Sequence, residues 1–127
     1  MKFATTLRTS RAQAIIDAAG TNPKMKFYTG TESLTPAGTL LATLNVTGAL
    51  GTVTSGVIDW NETVTQTNSS HVAGTPTFCL ITTSADAAVA TLAIPSEMTF
   101  SGTVATGVNV TVNTSTLTEP SSPNVIL

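Results

Sequence analysis

Apolar and polar positions follow one rhythm up to about residue 20 and another after it. Between Ser10 and Ala19 the apolar residues Ala12, Ile15, Ile16 and Ala19 recur at the i, i+3, i+4, i+7 spacing of a helix face. Thr9 or Ser10 can cap the start by accepting a backbone N–H, and Gly20 can close the end in the left-handed conformation. The Asn22-Pro23 step forbids continuation. The spacing predicts a single helix of about ten residues. Arg8 and Arg11 stand near its start, where positive charge opposes the helix dipole, so they are not placed to stabilise the helix and lean toward a contact.

Everything after residue 20 reads as strand and turn. Met25–Tyr28 alternates as a half-buried strand, and residues 31–38 form a loop broken by Pro36 and Gly38. Thr39–Val46 is the next strand, with Gly48 and Gly51 read as a turn. Val57–Trp60 then leads into Thr63–Thr67, and residues 68–74 are polar loop. Thr77–Thr82 has the continuous apolar centre of a buried strand, a tight turn falls near Ala85-Asp86, and Ala88–Ile94 returns until Pro95. Val108–Asn113 alternates strictly, placing three valines on one face; Leu117, a Pro- and Ser-containing segment and Val125-Ile126-Leu127 follow. Short, evenly spaced strands imply a mainly β fold: an antiparallel β-sandwich or jelly-roll-like domain with one short N-terminal helix. The chain reads as one domain over residues 1–127, with a basic helix-containing segment at 1–22.

Composition sharpens this picture. Charged residues make up only 9%, against about 25% in an average soluble domain, whereas Thr and Ser number 27 and 11 of the 127 residues. At 41% hydrophobic residues, disorder through low hydrophobicity and high charge is excluded. The charge is also partitioned. Lys2, Arg8, Arg11, Lys24 and Lys26 face only Asp17 in the first 26 positions, giving +4. The remainder carries no Lys or Arg and amounts to −6. Such polarity either docks copies head to tail, or onto an acidic neighbour, or is an incidental clustering on one helix and one strand. Thr-rich strands also lack the charges that normally discourage edge pairing, which a protein tolerates when neighbours cover its edges.

Candidate chemistry is thin. His71 and Cys79 are the only residues available for a nucleophile–base pair, but Cys79 lies inside an apolar strand where a thiol is inert. Asp59 and Glu62 flank Trp60, yet scattered carboxylates with one His and one Cys make no ligand cluster. Glycines 48, 51 and 56 fit no phosphate-binding pattern and read as turn residues. We expect no catalytic residue, no metal and no cofactor. Five N-x-S/T triplets begin at Asn45, Asn61, Asn68, Asn109 and Asn113; in so Thr-rich a chain they reflect composition. The lone cysteine cannot form an internal disulfide. Two early arginines interrupt the N-terminal apolar run, so no secretory signal is expected, and no window reaches the ~18 apolar residues of a membrane span. The five basic residues could touch nucleic acid, but an acidic remainder repels phosphate, so none is expected. Trp60 and Phe78 read as core or subunit-interface residues.

The opening from Lys2 through Ala18, with Met25–Thr31 and Gly38–Leu44, resembles small proteins encoded among the head genes of tailed bacteriophages and prophages. The likeness continues more loosely through Gly51–Trp60 and from Gly74 to Ile81. It implies a non-enzymatic capsid decoration or cementing protein, made in the host cytoplasm and seated in many copies on the virion surface. Its partners would be the major capsid protein and further copies, as dimers or trimers. The interaction residues expected are Lys2, Arg8, Arg11, Lys24, Lys26 and Trp60. Two stretches depart from the relatives' pattern. Ala93–Met98 replaces an aspartate- and glycine-rich stretch, and the final strand is short, leaving an edge either open or completed by a neighbour. The alternative is a carbohydrate- or receptor-binding β module of a phage fibre or tail, which requires an exposed aromatic patch around Trp60 or Tyr28.

Overall fold

The computed structural model describes residues 2–61, 64–66, 71–94, 96–97, 104–105 and 116–118. The strand expected over residues 108–113 lies outside them, as do Glu62, Glu119 and the apolar C-terminal triplet. Helix α1 spans Thr5–Ala19, five residues longer at its start than the apolar spacing predicts. Its buried residues are Ala12, Ile16 and Ala19, with Ile15 half-buried, so the face read from the sequence is the one that packs. Neither Thr9 nor Ser10 caps it. Their hydroxyls donate back to the carbonyls of Thr5 and Thr6, at 2.9 and 3.1 Å, and Ala4 occupies the cap position without a side-chain bond. Tertiary contact overrides cap chemistry here. Arg8 packs beside Gly56, and the Arg11 guanidinium lies over the Phe3 ring at 4.7 Å, holding the first turns down. At the other end Gly20 takes φ 70° and donates its N–H to the Ile16 carbonyl.

Among the described residues eight strands follow: β1 (Lys24–Tyr28), β2 (Leu40–Val46), β3 (Gly51–Thr54), β4 (Val57–Trp60), β5 (Val64–Gln66), β6 (Phe78–Thr82), β7 (Ala88–Ala93) and β8 (Thr116–Thr118). They form a five-stranded sheet in the order β5-β2-β1-β6-β7 and a three-stranded sheet in the order β3-β4-β8, antiparallel throughout. The chain is therefore mainly β with one helix. Register explains the burial. Met25 faces Leu44 and Ile81 across its two ladders, and Phe27 faces Ala42 and Cys79, so these six share one side of the sheet. They join Ile58 and Trp60 of β4 and the buried face of α1 in a single apolar cluster. Phe78 and Leu80 are buried on the opposite side of β6, which explains its unbroken apolar run; the half-buried Tyr28 ring stacks on Phe78 at 5.6 Å.

Gly51 is not the turn residue its neighbours suggest. It opens β3 opposite Trp60, where a Cβ would run into the Asp59 carbonyl, so close backbone approach requires glycine there. The actual turn is Ser55-Gly56, with φ 50° and 78°, a pair of positive values that matches the twist of a two-residue hairpin. The β2–β3 connection is fixed by amides. Asn22 and Gly48 exchange bonds, the Asn22 N–H reaching the Gly48 carbonyl at 2.7 Å and the Gly48 N–H reaching Asn22 Oδ1 at 2.8 Å. Asn61 Nδ2 donates to the carbonyls of Thr47 and Ala49, at 2.7 and 3.1 Å. Together these bonds tie the exit of α1 to the start of β3.

Candidate interaction site

The five basic residues separate into two groups. Lys24 and Lys26 lie two apart on β1, so both side chains stand on the same side of the sheet. Both ammonium groups reach Asp86 Oδ1, at 2.9 and 2.8 Å. Asp86 sits at φ 68° in the β6–β7 turn, and hydrogen bonds from Lys26 and then Lys24 pull its carboxyl down to about 2. Lys24 and Lys26 are thus engaged within the molecule. Lys2, Arg8 and Arg11 belong to the N-terminal segment and the first turns of α1. Lys2 is exposed. Arg8 is half-buried and donates from Nη2 to Thr5 Oγ1 at 3.1 Å.

Trp60 is only 5% exposed and belongs to the core, so the six expected interaction residues do not assemble into one patch. Its indole Nε1 is buried without a hydrogen-bond partner among the described residues. His71 is buried as well, although the sequence just before it, Asn68-Ser69-Ser70, is polar. The next residue, Val72, donates its N–H to the Leu41 carbonyl on β2, whereas Cys79 lies on β6 with β1 between them. Burial raises the Cys79 thiol pKa strongly, which removes its nucleophilic form. Among the described residues no three His, Cys, Asp or Glu side chains gather as a metal would require, and no helix is long and apolar enough to cross a membrane.

Sequence reasoning missed a groove between α1 and β3, of about 590 Å³. Gln13, Ile16 and Asp17 of the helix form one wall, and Gly51, Thr52 and Val53 of the strand form the other. A smaller hollow of about 220 Å³ adjoins it around Thr52, Asp59 and Trp60. The signal that could have located the groove is the Thr52-Val53-Thr54 alternation after Gly51, which marks a strand where the glycine suggested a turn. Asn61, first residue of an N-x-T triplet, spends its amide nitrogen on two backbone carbonyls, bonds that a glycan on that atom would disrupt. No family model, curated protein or solved structure matches the chain.

Proposed function

We propose that this chain is a non-enzymatic virion structural protein that binds the outside of a phage capsid in many copies and stabilises it. Two supports carry the reading: the likeness of its first 44 residues to phage head-gene proteins, and one structural observation. Lys24 and Lys26 both pair with Asp86, and Lys2, Arg8 and Arg11 belong to the N-terminal segment and the first turns of α1, where Lys2 is exposed. The strands beyond β1 carry no basic residue. A body with one basic end and a Thr-rich, weakly acidic remainder docks end-on to acidic surface or to the acidic flank of another copy, as a dimer or trimer. The two sheets, sharing one apolar cluster, would act as the layers of a β-sandwich.

Such a protein stabilises a shell through buried area, with charge setting register and encounter rate. Added back to particles that lack it, the protein is expected to bind at saturable sites and to raise the temperature at which the genome is released. Binding that never saturates, or no shift in release temperature, contradicts the reading. The fibre alternative gains nothing from Trp60, whose ring lies in the core.

A further inference from the structure

Among the described residues strand β3 pairs along one edge only, with β4. In the β3–β4 hairpin the Ser55-Gly56 turn joins Thr54 to Val57, so the hydrogen-bonded pairs are Thr54–Val57 and Thr52–Asp59. The Asn61 N–H on the Leu50 carbonyl, at 2.8 Å, continues the same phase. Gly51 and Val53 therefore turn their N–H and C=O groups away from β4, toward the groove under α1. At β7, an outer strand of the five-stranded sheet, the chain caps itself. The Ala93 N–H donates to Glu97 Oε2, and the Ala93 carbonyl accepts the Glu97 N–H, both at 2.9 Å. No described residue does this for Gly51 or Val53.

We propose that this groove binds an extended peptide segment of a partner protein, which adds to β3 as a further strand and sets a Lys or Arg beside Asp17. The backbone groups of Gly51 and Val53 stand two residues apart, the repeat at which an added antiparallel strand exchanges its bonds. Asp17 is the one charged side chain on the lining, and Gln13 Nε2 steadies its Oδ1 at 2.9 Å, so the wall selects for a cation. Ile16 and Val53 supply an apolar floor for a small or β-branched side chain of the segment. The volume lies within the roughly 300–1,000 Å³ of ligand clefts. A single strand fits better than a second copy, because α1 walls the far side of the groove and a second β3 arrives with its own helix beside it. The inference does not depend on the shell assignment.

The test uses the full chain labelled with ¹⁵N and two synthetic peptides, acetyl-Thr-Val-Thr-Lys-Thr-Val-Thr-amide and its analogue with Glu replacing Lys. The Lys peptide is expected to give saturable shifts and slowed exchange at the Gly51 and Val53 amides, with tighter binding than the Glu peptide. Val53→Pro removes an outward N–H that the β3–β4 ladder does not use, and should weaken binding by about tenfold. Asp17→Lys changes an exposed side chain and should reverse the preference between the peptides. Three results would overturn the proposal. One is protection of the Gly51 and Val53 amides in the free protein equal to that of Thr52. Another is no saturable shift with either peptide. The third is shifts at these amides that follow protein concentration without peptide, which would make the occupant a second copy.

Discussion

Asp86 holds two lysines at once, and that fact has a pH signature. Its folded-state pKa is depressed to about 2 from an ordinary 3.8 by the hydrogen bonds of Lys26 and Lys24. A depressed carboxylate stabilises the fold above its unfolded pKa and loses that contribution as pH falls through the folded value. Melting temperature should therefore fall as pH drops from about 5 to 2, and Asp86→Asn should flatten the fall while lowering stability at neutral pH. An unchanged slope in the variant would assign the acid sensitivity elsewhere. Cys79 gives a second test at this scale. Fully buried, with a raised pKa, it should resist a thiol reagent in the native protein and react stoichiometrically once denatured. Cys79 was legible because flanking apolar residues decide its burial. Asp86 was not, since pairing a turn carboxylate with lysines some sixty positions earlier requires knowing that β1 lies beside β6.

Elements were legible where a period was strong and obscure where glycine carried two meanings. The α1 face, β1, β2, β6 and β7 follow from spacing and alternation, each within one or two residues except at the start of α1. That start extends because Arg8 and Arg11 pack on Gly56 and Phe3, contacts that no local rule contains. β3 was missed because Gly51 looks like punctuation, yet serves close strand approach. The hairpin offers a direct check. Ser55 already sits at φ 50°, and asparagine tolerates that region better, so Ser55→Asn should raise stability by several tenths of a kcal/mol in denaturant unfolding. Ile16 is nearly fully buried where α1 joins the shared cluster, and Ile16→Ala should cost about 2–5 kcal/mol. A cost under 1 kcal/mol would mean that the helix is peripheral to the core.

For the whole molecule, charge partition was plain in the sequence, but its internal accounting was not. Two of the five basic residues close a contact within the fold, Arg8 and Arg11 pack beside Gly56 and Phe3 at half-buried positions, and Lys2 is exposed. Reversing Arg8 and Arg11 to Glu should weaken attachment to a shell and make it less sensitive to salt. Lys2→Glu, at an exposed position, separates that effect from any loss of helix packing. Attachment to the capsid is tested most directly by quantitative mass spectrometry of purified phage particles from cells encoding the chain, with cryo-electron microscopy of the same particles. The protein is expected at a fixed ratio to the major shell protein, with matching density on the outer lattice. Its absence from particles, or density confined to the tail, would contradict attachment.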